Sequence, residues 1–472
     1  MQWLIIIFAD AGGKASFVSP ALSRAAECVL MALYSLLLAA VFVLGAPYWL
    51  IRMATSGRYR AGLSERFGRV PARLRAAASG KKAIWLHAVS VGEVLAATRL
   101  VAELESSLGP DWIIVVSTTT VTGQALARER FAASGTQRVF YYPLDFAFAV
   151  RAYLRVLRPK LFILMESELW PRMLAECRSG GIPIVVVNAR VSDRSFARGM
   201  KVRGLWRKLL AKPNLFLAQS GEDARRLTAM GANPKSVRVS GNLKYDVRAP
   251  KQSRVADQIR ELAAGRPILV AGSTHVAMKG ERLSEDEMII RAWDGFSSLE
   301  APELIPLLVL APRHPQRFAE VEALVAEYSY LKATGLAGPA STTSPDILLL
   351  DTIGDLASVY SIADVAFVGG SLVPRGGHNP LEPAQFGVPV VMGPSYENFR
   401  DIVERLRAEQ AIMIVKNSAE LEASLADCVE HRGRSTELGR RAQSVFEQQQ
   451  GATVRTVEAL TWLLFAPAEA AR

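Results

Sequence analysis

Apolar and polar positions alternate along this chain in a repeating order. Short apolar runs (AIWLHAV, WIIVVST, RVFYYPL, LFILME, IPIVVVNA, LFLAQS) are separated by stretches with helical spacing such as EVLAATRLVAELESSL and TGQALARERFAA. Buried runs that alternate with amphipathic helices predict parallel strands covered by helices, the α/β class. The polar, proline-containing stretch GNLKYDVRAPKQSR interrupts this order, which then restarts with PILVAGS, LIPLLVLAP, DILLLD, VAFVGG, VPVVMG and AIMIV. Two similar halves joined near residue 246 predict two Rossmann-like domains facing a cleft, with ligands beyond the carboxyl ends of the strands. The polar stretch from Ala333 to Pro345 is expected to be a surface loop.

The N-terminal part departs from this pattern. No charge occurs from Cys28 to Ile51, CVLMALYSLLLAAVFVLGAPYWLI, a run long enough to span a membrane. Arg52, Arg58, Arg60, Arg66, Arg69, Arg73 and Arg75 follow it, which places the rest of the chain in the cytoplasm by the positive-inside rule. Pro47, late in the run, leaves an interfacial helix open. The expected organisation is therefore an extension at 1–27, an anchor at 28–51 and domains at 52–246 and 247–472.

Composition narrows the partners. The 472 residues carry 56 basic and 45 acidic side chains, a net charge of +11. That excess suits an anionic membrane surface or phosphorylated substrates, while no nucleic-acid-binding signature is present. The three cysteines and five histidines are scattered without metal-ligand spacing, so neither a disulfide framework nor a bound metal is expected. Segment 194–213, RSFARGMKVRGLWRKLLAKP, reads as a solvated helix face or as a basic amphipathic helix at a membrane surface, and the N-terminal anchor favours the membrane reading.

Candidate chemistry clusters where strands should end. In RGGHNPLEPA, Gly376 and Gly377 permit positive φ, and Asn379, Pro380 and Glu382 suit the cap, first position and first turn of a helix. That is a well-capped helix, or an anion site built from a helix N-terminus. In HAVSVGE, Glu93 sits in the first turn of a helix; the dipole favours an acid there and is expected to keep it ionised, ready to take a proton. Glu166 and Glu168 lie two apart in MESELWP and share a face if the strand continues. Asn188, Arg190, Ser192 and Arg194 form a possible anion cluster, and Lys244 sits at the domain junction. Arg313, His314 and Arg317 suit a phosphate, and Ile353, Gly354 and Asp355 stand at another strand end.

Taken together, SVGE, ESELWP, NARVSDRS, GNLKYD, GSTH, PRHPQRF, FVGGSLVPRGGHNPLEPA and MGPSYENFRD resemble the motifs of the 3-deoxy-D-manno-octulosonic acid (Kdo) transferases of lipopolysaccharide biosynthesis. The resemblance implies a GT-B glycosyltransferase fold, with an acceptor-binding first domain and a CMP-Kdo-binding second domain. The reaction it implies is inverting transfer of Kdo from CMP-Kdo to a lipid A precursor at the cytoplasmic face of the inner membrane, without a cofactor. By the same resemblance Glu93 is the general base, and Glu166 and Lys244 support the transition state. Pro312, Arg313, Ile353, Gly354, Asp355, Asn379, Pro380, Leu381 and Glu382 then hold CMP-Kdo. Two positions depart from the pattern. After GSTH the acidic position has three claimants, Glu281, Glu285 and Glu287, and Asp355 is one methylene shorter than the usual acid. A GT-B enzyme using a UDP-sugar and a two-lobed sugar receptor are the alternatives, separable by CMP release and by the need for Glu93.

Overall fold

The structure, a computed structural model, describes residues 20–56, 60–132, 135–166, 168–248, 253–277, 283–298, 302–337 and 345–465. Arg58, Glu281, the extension before Pro20 and residues 338–344 of the expected loop lie outside them. The chain forms two compact units: Met1–Val247 with Gln450–Arg472, and Arg248–Gln449.

The first unit carries β1 (Lys82–His87), β2 (Trp112–Thr118), β3 (Val139–Tyr141), β4 (Leu161–Met165), β5 (Ile184–Ala189), β6 (Leu215–Ala218) and β7 (Val237–Val239). They form one sheet in the order β3-β2-β1-β4-β5-β6-β7, and every pairing is parallel. Helices cover both faces, which is why β4 and β5 are buried along their whole length and show no alternation. One face packs Trp85 against Phe140, Tyr153 and Phe162. The other gathers Ile84, Leu86, Leu100, Leu104 and Ile163.

The second unit repeats the plan with β8 (Ile268–Thr274), β9 (Leu307–Pro312), β10 (Tyr330–Lys332), β11 (Ile347–Leu349), β12 (Val365–Val368), β13 (Val390–Met392) and β14 (Met413–Ile414). Its order is β10-β11-β9-β8-β12-β13-β14, again parallel. Strands β7 and β10 have no counterpart in the apolar runs of the sequence. Both are three-residue edge strands whose side chains are only partly buried or exposed, so neither needs an apolar run. Two parallel α/β units of this kind are what the GT-B glycosyltransferase fold is built from.

Two segments differ from expectation. The basic stretch at 194–213 forms two short helices, Asp193–Lys201 and Arg203–Leu210, broken at Val202. Phe196 and Trp206 pack on the core, so its aromatic side chains are not free to meet a membrane. The last helix, Ala452–Phe465, belongs to the first unit and places Ala452, Leu460 and Leu463 in that unit's core. Its start is held from afar: the buried Asp246 carboxylate accepts from the Gly451 and Thr453 N–H groups at 2.8 and 2.5 Å. Near the N-terminus a single helix runs from Pro20 to Ser56 through Pro47. Among the described residues it alone is long and apolar enough to cross a membrane, over Val29–Met53.

Removing the Asp246 carboxylate orphans one N–H group just before the last helix and one in its first turn. Asp246→Ala is expected to destabilise the first unit by about 2 kcal/mol and to speed amide exchange selectively along Ala452–Phe465. Unchanged exchange in that helix would remove the capping role.

Candidate functional site

In an open parallel sheet the strand order reverses at one point, and the exits of the two strands flanking it leave a crevice. In the first unit that point lies between β1 and β4. Ser90 precedes the helix Val91–Leu108 that follows β1, and Glu93 is in its first turn. Glu93 Oε2 accepts from the Val89 N–H at 2.7 Å, and Oε1 accepts from the Ser90 hydroxyl at 3.2 Å. The carboxyl is 7% exposed. Burial, then the neighbouring Glu166 charge, push its pKa up to about 8, against the pull of those two hydrogen bonds. The expectation of a lowered Glu93 pKa is therefore corrected: burial and the neighbouring acids raise it.

Glu166 follows β4 directly and adopts φ 57°, so the strand stops at Met165 and the Glu166–Glu168 alternation expected of a continuing strand is lost. Non-glycine residues in that region are held by their surroundings. Here the Glu166 N–H donates to the Val187 carbonyl at 2.8 Å. Lys244 Nζ lies 3.9 Å from Glu166 Oε1, each side chain about a quarter exposed, a loose pair. Lys244 is placed by a short turn, Leu243–Asp246, in which Asn242 Oδ1 accepts from its N–H at 3.0 Å. The turn is pinned to the sheet by Asn188, fully buried at φ 57°, whose Oδ1 accepts from the Leu243 N–H at 3.0 Å. Asn188 thus positions this turn through its Oδ1, while its Nδ2 has no partner among the described residues, and Ser192 caps the helix at Asp193. Glu93, Glu166 and Lys244 gather at one end of one sheet.

That end also holds groups the sequence did not single out. His87, at the end of β1, is fully buried; its Nδ1 faces Ser117 Oγ at 3.0 Å, and its ring stacks on Tyr142 at 3.8 Å. Burial pulls its pKa down to about 3, so it is neutral. His87 Nε2, the Tyr142 hydroxyl and Trp170 Nε1 are buried with no protein partner among the described residues. A histidine ending an apolar strand was the only available signal.

In the second unit the order reverses between β8 and β12. Gly376 and Gly377 take φ 86° and 69°, and a Cβ on Gly377 would fall 2.9 Å from the Ser395 carbonyl oxygen. Yet their N–H groups are not waiting for a ligand. Gly376 donates to Ser395 Oγ at 2.8 Å, Gly377 to the Gly370 carbonyl at 2.7 Å, and His378 to that of Gly369 at 3.1 Å. The helix beyond is one turn, Leu381–Ala384, with Pro380 at its cap and Asn379 Oδ1 accepting from the Leu381 N–H at 3.2 Å. The reading of this turn as a free anion cradle is corrected accordingly.

The anion that organises the corner is internal. Glu285, fully buried, accepts four backbone N–H groups: His275 at 2.9 Å, Gly370 at 2.7 Å, and Ser371 and Leu372 at 2.9 Å each. Burial raises its pKa and those four donors pull it back. Glu287 instead completes a capping box with Ser284. Around Glu285, His275 Nε2 and His378 Nε2 are 2.8 Å apart with their rings 2° from parallel, and His314 meets His275 edge-on at 5.3 Å. Burial and nearby cationic groups bring His275 down to about 4 and His378 to about 3, so both are neutral and one donates to the other.

The remaining residues divide. Arg317 is committed to Asp286, at 2.5 Å in a buried pair, and to the Thr274 carbonyl, so it is withdrawn from phosphate binding. Arg313 is exposed beside it, after Pro312 ends β9. Glu382 lies within range of Arg313 and is bonded to Asn379; burial raises its pKa and those two groups lower it. Ile353, Gly354 and Asp355 stand at the exit of β11, two strands from β8, with Ile353 82% exposed and Gly354 at φ 101°. Among the described residues no group of three or more His, Cys, Asp or Glu side chains is placed to hold a metal.

Comparison with known proteins follows the same lines. The family 3-deoxy-D-manno-octulosonic-acid transferase (kdotransferase) matches residues 61–247. A 3-deoxy-D-manno-octulosonic acid transferase of Haemophilus influenzae is 34% identical over 410 residues, 86% of this chain and 92% of that protein. One of Bordetella pertussis is 35% identical over 430 residues, 88% and 95% of the two chains. The solved UDP-GlcNAc 2-epimerase of Neisseria meningitidis bound to UDP-GlcNAc shares the fold, with a TM-score of 0.55 at 11% identity over 80% of this chain and 99% of that one.

Two glutamates in one helical turn provide a contrast. Glu285→Ala strands four buried N–H groups and is expected to cost on the order of 3 kcal/mol, with faster exchange at Gly370–Leu372. Glu287→Ala removes only a capping contact worth about 1 kcal/mol. Equal unfolding midpoints for the two variants would contradict this ranking.

Proposed function

This chain belongs to the 3-deoxy-D-manno-octulosonic acid (Kdo) transferase family of lipopolysaccharide biosynthesis, and we propose that it transfers Kdo from CMP-Kdo to a lipid A precursor, lipid IVA, with inversion. The observation that carries this reading is the convergence of Glu93, Glu166 and Lys244 at one strand-exit crevice, with Glu93 buried and poised near neutrality.

The step is a displacement. The acceptor hydroxyl oxygen bonds to the anomeric carbon of Kdo while the bond from that carbon to the CMP phosphate oxygen breaks. The electron pair leaves with CMP, and Glu93 takes the hydroxyl proton. A base with a pKa close to the working pH is well matched to this transfer. Lys244, steered by Glu166, supports the charge that develops in the transition state. Asn188 holds Lys244 in place.

The donor is assigned to residues of the second unit. Exposed Arg313 meets the phosphate, and Glu382, held by Asn379, accepts ribose hydroxyls. Ile353 lies against the cytosine ring, which Gly354 lets approach; Pro312, Asp355, Pro380 and Leu381 complete the surface. The reading invokes no metal and no cofactor. The domains 52–246 and 247–472 then serve acceptor and donor, with residues 450–472 structurally part of the first unit. The enzyme sits at the cytoplasmic face of the inner membrane, held by its apolar N-terminal helix and attracted to anionic phospholipid by the arginines that follow.

The direct test is incubation with CMP-Kdo and tetraacylated lipid A precursor, following CMP release and product mass. Glu93→Gln keeps the backbone contact and is expected to lower kcat by roughly 10²–10⁴-fold. Equal transfer by both proteins would remove Glu93 as base. Absence of CMP release from folded protein that consumes a UDP-sugar would replace the donor.

The pH dependence has a definite sign. The competent form is the carboxylate, so kcat/KM should climb with pH through about 8 and then level. Glu166→Gln removes a like charge, lowers the Glu93 pKa, and should shift that rise to lower pH; a shift to higher pH would contradict the pairing.

A further inference from the structure

The N-terminal helix does not stand free of the first unit. The Tyr34 hydroxyl donates to the Asp145 carboxylate at 2.8 Å. Arg172 donates to Ser35 Oγ at 2.7 Å and to the Met31 carbonyl at 3.1 Å. Leu38, one turn on, is buried. Phe42, another turn on, meets Phe67 and Phe146 edge-on at 5.5 and 6.2 Å. Positions 31, 34, 35, 38 and 42 form one stripe, so about 16 Å of helix lies along the domain. Asp145 is braced from behind by the Arg172 and Met173 N–H groups, each at 2.8 Å.

The outward face is apolar throughout: Val29 is 59% exposed, Leu36 67%, Leu44 81% and Ile51 62%. Beside the docked stripe the domain itself shows exposed Leu63, Phe67 and Phe148. A helix crossing the bilayer along its normal would carry this flank into the hydrocarbon. The flank is unsuited to that. Arg172 pairs with Glu176 at 3.5 Å, and Glu176 with the half-exposed Arg151 at 2.8 Å, and such a pair is costly among lipid tails.

We propose that this helix lies in the plane of the membrane, bracketed to the domain through Tyr34, Asp145 and Arg172, with its outward face and the Leu63–Phe67–Phe148 rim immersed in the hydrocarbon of one leaflet. It does not cross. The exposed Arg60, Arg69 and Arg75 that follow it supply positive charge for anionic headgroups of the same leaflet. Asp145 follows β3, at the end of the sheet that carries Glu93, so the bracket sets the height of the membrane surface relative to that carboxyl. A hydroxyl on a lipid headgroup is thereby presented at a fixed depth. The assignment of the helix stands whether or not the proposed donor is correct.

Nitroxide depth measurement on the full-length protein decides it. Single cysteines replace Val29, Leu36, Leu44 and Ile51 in turn, with Cys28→Ser and the buried Cys177 and Cys428 retained, in phosphatidylethanolamine–phosphatidylglycerol vesicles. An in-plane helix gives similar depths at all four positions. A spanning helix changes depth by about 1.5 Å per residue, placing Leu36 and Leu44 deepest and the outer two shallow; that profile overturns the proposal. In spheroplasts, Ser16→Cys in the same Cys28→Ser background is expected to react with a membrane-impermeant maleimide only after lysis. Labelling of intact spheroplasts at that position likewise overturns it.

Discussion

In a parallel sheet covered on both faces, many backbone N–H groups of the strand-exit loops are buried, and each of those needs an acceptor. This chain supplies buried carboxylates. Glu285 takes four such groups around β8 and β12. Asp145 takes two at the start of the helix Pro171–Ser179, and Asp246 two ahead of the last helix. Asp223 takes the Val191 N–H beyond β5 at 2.8 Å. Without these acceptors the loops at the crevices would have no fixed course, and the functional side chains on them no fixed place.

Glu93 uses the same device and pays for it in protonation. Bonded to the Val89 N–H and the Ser90 hydroxyl, it ties the chain entering its helix to the first turn. The presence of Glu166 and Glu168 in the same enclosed end raises its proton affinity. In the proposed mechanism this one carboxyl would also serve as the base, a role that its burial favours. Glu285 shows the contrasting outcome: four donors occupy its lone pairs, and none remains to meet a substrate proton.

The docking of the N-terminal helix on the first unit follows from the same use of buried acceptors. Asp145 stabilises a helix start and, with its remaining capacity, takes the Tyr34 hydroxyl. A single buried acid thus joins the sheet end, a surface helix and the apolar N-terminal helix. Within the first unit, the N-terminal helix and the crevice that holds Glu93 are thus tied to the same end of one sheet.

What the sequence by itself determined is the local part. Apolar runs, helix spacing and the break at GNLKYD placed most strands, the division near residue 246 and the loops carrying Glu93, Glu166, Lys244 and Arg313, because periodicity and turn chemistry act over a few residues. The Ser284–Glu287 capping box could also have been read, and with it the helix start that makes Glu285 an interior acid. Only the tertiary structure decided which groups were already spoken for. Arg317 went to Asp286, Asn188 to the Leu243 N–H, and the N–H groups of the glycine turn to Ser395, Gly370 and Gly369. It also decided that burial raises the Glu93 pKa rather than lowering it, and that the last helix returns to the first unit. Desolvation and pairing depend on residues far apart in the chain that packing brings together, and no local pattern encodes them.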